Sequence, residues 1–319
     1  MVCEIEFERD MDPEFFYHNY LPNSELWRDQ AVAIGRNAGL PAKSFRAFTA
    51  GVNLVAMIDE AWVIKIFPPF QLHQWESESR VLRALSDGLA SVQIPKLRIA
   101  GELPWGWRFV VMSLVPGDTL DKVWMKLGPQ EREQTLYRIG QIMAEVHARP
   151  LGELHDLSPQ WDLFIDKQIH QCFERHQRLG MPAWFLRDLP KFIPNKISLP
   201  SVFAPCLLTG EYTPFNLLVK SLDEPEIVGM IDFADSMIGP PEYDLLGPML
   251  FLAAGDRTLI DAILKGYGWP TGRLSPELRR CLMSLQLLHR YSDFSEQLRI
   301  PWMDRVSSLE ELEDLIWPL

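Results

Sequence analysis

The sequence predicts an α+β chain, a strand-rich first lobe followed by a larger and mainly helical second lobe. Three observations lead there. Between Phe45 and Leu114, short β-branched and aromatic runs alternate with turns rich in Gly, Pro and Asp, as strands and hairpins do. Beyond Pro116-Gly117-Asp118, apolar residues return at helical spacing over long stretches. The change of period is abrupt. It sets the boundary near Val115–Pro116 and divides the chain into lobes of residues 1–115 and 116–319.

Taken in order, residues 11–40 read as helical, with Leu26, Trp27, Ala31, Val32 and Ile34 in a partly amphipathic pattern that Gly39 and Pro41 end. Phe45–Met57 reads as strand, Gly-containing turn, strand, and Trp62–Phe67 as a third strand stopped by Pro68-Pro69. Leu72–Leu85 is helical, with Trp75, Val81, Leu82 and Leu85 on one side and Glu76 and Glu78 near its start. Ile94–Ile99 and Arg108–Leu114 supply two more strands around a turn at Pro104-Trp105-Gly106. Helices follow at Leu120–Leu127, Glu131–Ala148 and roughly Gln160–Leu179. The runs Asn216–Val219 and Ile227–Ile231 flank a polar connection holding Asp223 and Pro225, which is a hairpin pattern. The last helices are Glu242–Ala254, Leu259–Gly266, Glu277–Glu296 and Arg305–Trp317, the last with an acidic, solvated face. No internal repeat or low-complexity segment interrupts them.

Composition narrows the function classes. A chain of 319 residues, 47% hydrophobic and 23% charged, buries a substantial core as an ordinary soluble protein. Its net charge of −12 argues against nucleic acid as a partner and suits a cationic ligand or plain solubility. Cysteines at 3, 172, 206 and 281 make neither a metal-type pair nor a disulfide framework, so the expected setting is reducing and cytoplasmic. Met1–Glu6 is acidic with no apolar run behind it, unlike a secretory signal. The apolar run Leu245–Gly255 is too short to span a bilayer and holds Pro248, so no membrane partner is expected. Eleven tryptophans point to core filling, with an aromatic-walled cavity as the alternative. None of the seven histidines has a spacing that demands a metal, and each reads as structural.

Two stretches carry chemistry. Leu207–Val219, read Leu-Leu-Thr-Gly-Glu-Tyr-Thr-Pro-Phe-Asn-Leu-Leu-Val, is a polar turn entering an apolar run. Gly229-Met230-Ile231-Asp232-Phe233-Ala234-Asp235 is an apolar run ending in acid. The hairpin between them brings Glu211, Asn216 and Asp232 to one end, a set suited to a divalent metal and to aiming a hydroxyl at a phosphate. Upstream, Lys65 sits in the run Trp62–Phe67, where lysine is out of place unless partnered or exposed. Pointed into a cleft it would neutralise phosphate charge, with Glu78, or else Glu76, to orient it. Thr49–Asn53, with Gly51 and Asn53, reads as a phosphate-covering turn, although one glycine serves any hairpin equally well. No G-x-x-x-x-G-K-[ST] loop occurs.

The pair Thr-Gly-Glu-Tyr-Thr-Pro-Phe-Asn-Leu-Leu-Val and Met-Ile-Asp-Phe-Ala-Asp resembles the signature of the aminoglycoside phosphotransferase family. Its usual form is H-G-D-x-x-x-x-N followed by I-D-[FW]-x-[DE]. Ile238–Leu245 is similar to the family's G-x-x-x-[YF]-[DE]-[LIV] segment, and Leu136–Ala148 to the helix before its catalytic region. The resemblance runs from about Phe45 to Gly268. It implies a two-lobed protein-kinase-like fold and transfer of a γ-phosphoryl group from ATP or GTP, with Mg²⁺, to a hydroxyl of a small, possibly cationic acceptor such as an aminoglycoside-like antibiotic.

By that resemblance Asp232 and Asn216 are the metal ligands, and Glu211 orients the attacking hydroxyl and takes its proton. Lys65, held by Glu78, meets the α/β-phosphates, and backbone groups at Ser113–Val115 meet the purine edge. Asp235 either orients the loop or caps it. Two positions depart from the family form: Thr209 stands for the histidine and Glu211 for the catalytic aspartate. A second reading is therefore a kinase-like protein that binds nucleotide or ligand but turns over weakly. Protein-kinase activity is disfavoured, since Ala234 replaces the D-F-G glycine and no A-P-E segment follows.

Overall fold

The computed structural model describes residues 7–193 and 203–319; the acidic start at Met1–Glu6, with Cys3, lies outside the described residues. The chain forms two compact units. One comprises Met1–Gly88, Gln93–Pro116 and Ile231–Ser236, the other Leu89–Val92, Gly117–Met230 and Met237–Leu319. A single cut at Val115–Pro116 does not describe this division, and side-chain bonds give the reason. The Ala90 and Ser91 N–H groups donate to the Glu145 carboxylate, which fixes Leu89–Val92 to the helical unit. Lys65 pairs with Asp232, which draws Ile231–Ser236 to the sheet unit.

The sheet unit begins with α1 (Pro13–Phe15), a π-turn at Phe16–Tyr20, a 3₁₀ turn at Ser24–Leu26 and α2 (Arg28–Asn37). The continuous helix expected over residues 11–40 is thus broken, and Pro22, which lacks an N–H, stands at the break. Five antiparallel strands follow, β1 (Phe45–Phe48), β2 (Leu54–Ile58), β3 (Trp62–Phe67), β4 (Leu97–Glu102) and β5 (Arg108–Ser113), in the order β1-β2-β3-β5-β4. β4 starts later than its apolar run suggests because Pro95 cannot donate to a ladder. Helix α3 (Leu72–Ala84) lies between β3 and β4 in the chain.

Strand alternation sorts β3 into two faces. Ile64 and Ile66 enter a core shared with Leu54, Ala56, Ile58 and the N-terminal aromatics Phe7, Phe16, Tyr20 and Trp27. Lys65 takes the opposite face. The stretch from Phe7 to Leu40 therefore covers the sheet, with Phe7 stacked on Trp107 at 4.3 Å. Much of the tryptophan content is core, since Trp27, Trp107 and Trp317 are fully buried.

The helical unit runs β6 (Asp118–Thr119), α4 (Asp121–Trp124), α5 (Pro129–His147), α6 (Trp161–Arg178), α7 (Ala183–Phe192), β7 (Cys206–Leu208), β8 (Leu217–Val219), β9 (Ile227–Met230) and β10 (Met237–Gly239). Helices α8 (Glu242–Pro248), α9 (Arg257–Tyr267), α10 (Pro276–Leu287), α11 (Phe294–Gln297) and α12 (Leu309–Ile316) complete it. The expected hairpin is β8–β9, antiparallel with Leu217 opposite Met230. The expected helix Glu242–Ala254 leaves α geometry after Pro248 for a π-turn at Met249–Ala253, and Glu277–Glu296 is two helices. Helix α7 has no clear sequence signal because Pro190 sits inside it.

Helices α5 and α9 touch backbone to backbone. A Cβ on Gly140 would stand 2.3 Å from the Ile263 carbonyl oxygen, and one on Gly266 would stand 2.0 Å from that of Tyr137. Among the described residues no helix is long and apolar enough to cross a membrane.

Candidate functional site

In the sheet unit a cation is buried between two carboxylates. Lys65 is 5% exposed, and its Nζ lies 2.8 Å from both Glu78 and Asp232. The β-branched run makes the strand, its pleat turns Lys65 toward α3, and α3 supplies Glu78 rather than Glu76. Burial alone would push the ammonium down, but the charges of Asp232 and Glu78 overcome it and hold Lys65 above its usual range. Burial also works against ionised Asp232, yet Lys65 and the Ala234 N–H, donating to Oδ1 at 3.2 Å, hold it below the usual carboxylate range. Glu78 goes the other way. Fully buried, and facing the charge of Asp232, it is raised despite Lys65. Asp232 has φ +66°, a left-handed backbone that a non-glycine residue adopts at a cost, and its side chain remains 38% exposed.

One turn along α3, Gln74 makes a second set of contacts. Asn53 Nδ2 donates to Gln74 Oε1 at 2.7 Å, and Gln74 Nε2 donates to Asp235 Oδ1 at 3.3 Å. The Asn53 side chain, expected to face a nucleotide, is instead buried on α3 at 2% exposure. Gly51 has φ +107° with open space where a side chain would be, so the backbone of the turn is bare. At the end of β5 the Ser113 N–H donates to the Lys96 carbonyl at 2.9 Å and the Leu114 N–H to Ala61 at 2.8 Å. Of the Ser113–Val115 stretch expected at a purine edge, two amide groups are thus engaged within the unit, and the Val115 side chain is buried.

In the helical unit, β7 delivers the loop Thr209-Gly210-Glu211. Gly210 has φ +77°, which explains a glycine here. One buried carboxylate braces the loop: the Thr209 N–H donates to Asp244 Oδ2 at 2.9 Å and the Gly210 N–H to Oδ1 at 2.8 Å. His147 at the end of α5 lies 3.0 Å from Asp244 Oδ2 through Nε2 and 3.1 Å from the Tyr267 hydroxyl through Nδ1. Thr209 Oγ1 receives a long contact of 3.5 Å from the Glu211 N–H. Asn216, at the mouth of β8, donates from Nδ2 to the Glu211 carboxylate at 2.9 Å and to its carbonyl at 3.4 Å. The glutamate side chain is thus folded back onto the amide of Asn216.

Asp244, His147 and Gln74 are the residues that sequence reasoning passes over. Their signal is a polar group at a position that periodicity assigns to the core: Asp244 inside an apolar run, and Gln74 on the buried stripe Gln74-Glu78-Val81-Leu82 of α3. Among the described residues no three His, Cys, Asp or Glu side chains gather as a metal cage. The partly exposed Asp232 carboxylate is a donor of the kind Mg²⁺ takes, an ion that accepts one or two carboxylates and completes its shell with phosphate and water. A groove of about 350 Å³ in the helical unit is walled by Trp161, Phe203, Pro205, Ile238 and Pro240, with Asp162 at its edge.

Residues 45–280 match the model of the phosphotransferase enzyme family, more than half of the chain. Three solved structures share its fold. The GDP and kanamycin complex of APH(2")-IIia is 19% identical, with a TM-score of 0.64 over 82% of this chain and 90% of that one. The streptomycin–ATP–APH(2")-IIa ternary complex is 18% identical, with a TM-score of 0.60 over 80% and 88%. The macrolide 2'-phosphotransferase MphH from Brachybacterium faecium is 19% identical, with a TM-score of 0.59 over 86% and 98%. At these identities the likeness is one of fold, the kinase-like α+β architecture expected from the sequence.

Proposed function

The chain belongs to the phosphotransferase enzyme family, and from that premise we propose that it moves the γ-phosphoryl group of ATP or GTP to a hydroxyl of a small molecule. The observation that carries the reading is Lys65, buried with Glu78 and paired with the partly exposed Asp232. A lysine held at full charge by two acids is costly to bury and gains its use where polyphosphate must be gripped.

In this reading Lys65 binds the α/β-phosphates, Glu78 holds Lys65, and the bare turn at Gly51 covers the phosphates. Asp232 and Asn216 would hold Mg²⁺, which when bound neutralises phosphate charge. Glu211 accepts a hydrogen bond from the acceptor hydroxyl. As the acceptor oxygen bonds to the γ-phosphorus, the bond to the β–γ bridging oxygen breaks and the hydroxyl proton passes to Glu211. The acceptor class is hydroxylated and uncharged or cationic, as are the antibiotics named for the structural relatives. The aromatic groove beside Asp162 suits such a molecule, whether aminoglycoside, macrolide or metabolite.

One observation favours a second reading, in which the protein binds nucleotide but turns over weakly. The Glu211 carboxylate is held by Asn216, and a reacting group displaced by about 1 Å loses roughly a hundredfold in rate. The test is a thermal-shift screen with Mg–ATP and Mg–GTP, followed by phosphoryl-transfer assays on hydroxylated antibiotics and metabolites. We expect stabilisation by at least one nucleotide, and transfer that Glu211→Gln reduces at least a hundredfold. Transfer equal in wild type and Glu211→Gln would favour the second reading; stabilisation by neither nucleotide would refute both.

A further inference from the structure

We propose that Gln74 is a positioning residue that ties the phosphate-facing turn at Gly51–Asn53 to the acid segment Asp232–Asp235, so that nucleotide contacts at the turn set the place of Asp232. The inference deepens the phosphotransfer reading and rests on it.

Helix α3 spends its buried stripe unusually. Gln74 and Glu78, four residues apart and so on one face, are 1% and 0% exposed where a core helix carries apolar side chains. Gln74 bonds one side chain on the strand side and one acid in the segment after β9, whereas Glu78 shares Lys65 with the other acid there. Glu78 and Asp232 meet on Lys65. Gln74 joins Asn53 to Asp235. The first contact set is charged and the second is amide-based, and the chemistry of the second allows one arrangement only. The Asp235 carboxylate can only accept, so Gln74 must present Nε2 to it. Its Oε1 is then turned to Asn53, which must donate from Nδ2. All three side chains are buried, at 2%, 1% and 8% exposure, so water does not compete for these bonds. Apolar residues would fill the same space more cheaply.

The contacts sit where position matters. Asn53 leads directly into β2 from the bare turn. Asp235 lies three residues beyond Asp232, in a segment whose backbone is strained at Asp232 and closed by the Ala234 N–H on its carboxylate. Without Gln74, Asp232 keeps Lys65 and the Ala234 N–H, but Asp235 loses its bond to α3 and the turn loses its tether there.

The test is an exchange of donor and acceptor. In Gln74→Glu a carboxylate faces Asp235 and repels it. In Gln74→Glu with Asp235→Asn, the new amide donates to the carboxylate now at position 74, which still accepts from Asn53. Affinity for a fluorescent ATP analogue with Mg²⁺ is measured on the full chain. We expect Gln74→Glu to weaken nucleotide binding about ten- to a hundredfold and the double variant to recover most of it. A double variant as weak as Gln74→Glu, or wild-type affinity in Gln74→Glu, overturns the proposal. Thermal midpoints without nucleotide check folding. Should Gln74→Glu not fold, Gln74→Leu takes its place with the same expected weakening, and wild-type affinity in it likewise overturns the proposal. A wild type that binds no nucleotide brings down the phosphotransfer reading itself, a result distinct from wild-type binding with indifferent variants.

Discussion

Lys65, Glu78 and Asp232 hold one another by charge in the sheet unit, whereas Thr209 and Gly210, leading into Glu211, are held by backbone hydrogen bonds into one carboxylate, Asp244, in the helical unit. The difference teaches where sequence change is tolerated. A charge triad depends on side-chain identity at each member. A loop braced through its N–H groups asks little of its own side chains beyond the φ of Gly210, so Thr209 can stand where relatives of the usual form carry histidine. Glu211 is the exception, since its carboxylate has a partner of its own in Asn216.

If the contrast is right, breaking the triad costs most. Asp232→Asn is expected to lower kcat about a thousandfold under saturating nucleotide, with Mg²⁺ titration shifted to higher concentration. The fold should survive, because Lys65 keeps Glu78. Lys65→Met is expected to be worse for folding than for anything else, as it leaves buried Glu78 uncompensated at roughly 3–5 kcal/mol. A thermal midpoint equal to wild type in Lys65→Met would mean that Glu78 is neutral in the folded protein.

Breaking the brace should cost less and in a different place. Asp244→Asn retains an acceptor but cannot take two N–H groups and His147 alike, so kcat is expected to fall about a hundredfold with nucleotide affinity unchanged. A matching loss of nucleotide affinity would show that the two halves are not separable. Glu211→Asp tests the fold-back: the shorter side chain cannot both meet Asn216 and reach as far, and we expect about a tenfold drop in kcat, smaller than that of Glu211→Gln. A gain in kcat would mean that the glutamate is an impediment.

What is legible in the sequence follows the same division. Lys65 announces itself as a charge in a β-branched run, and Asp232 and Asn216 do so through their place beside two apolar strands. Partners that act through backbone groups leave less trace. Asp244 reads as part of a motif without a role because its work is to accept N–H bonds, which any loop sequence supplies. The choice between Glu76 and Glu78 needs the helix phase fixed against the sheet, and the break of the first helix at Pro22 needs the aromatic cluster that rewards it. The return of Ile231–Ser236 to the sheet unit is a tertiary fact, made by the Lys65 and Gln74 contacts, and no local period encodes it.

The two units should also part company in acid, and this is the smallest effect expected. In the helical unit, burial pushes His176 down to about 4 and His289 down to about 3, the latter with the charges of Arg290 and Arg175 adding to it. The Tyr291 N–H donates to His289 Nδ1 at 3.2 Å, a bond that requires this nitrogen bare of a proton. An unfolded histidine binds its proton near pH 6.5. With the folded values depressed, the stability these residues contribute is fully present above that pH and is lost as pH falls toward the folded values, about 2 kcal/mol each by pH 5. In the sheet unit the sign reverses for Glu78. Its folded value is raised, so its contribution is present below the unfolded carboxylate range and is lost as pH rises through the folded value. Asp232, depressed, holds its contribution until the pH drops below that range. Between pH 6.5 and 5 the two histidines therefore weaken the helical unit, while neither Glu78 nor Asp232 weakens the sheet unit. Hydrogen exchange at pH 7 and 5, corrected for intrinsic rates, is expected to show α10 opening more readily at pH 5 while β3 does not. His289→Phe should remove about half of the accompanying fall in thermal midpoint, and an undiminished fall would place the acid-sensitive group elsewhere.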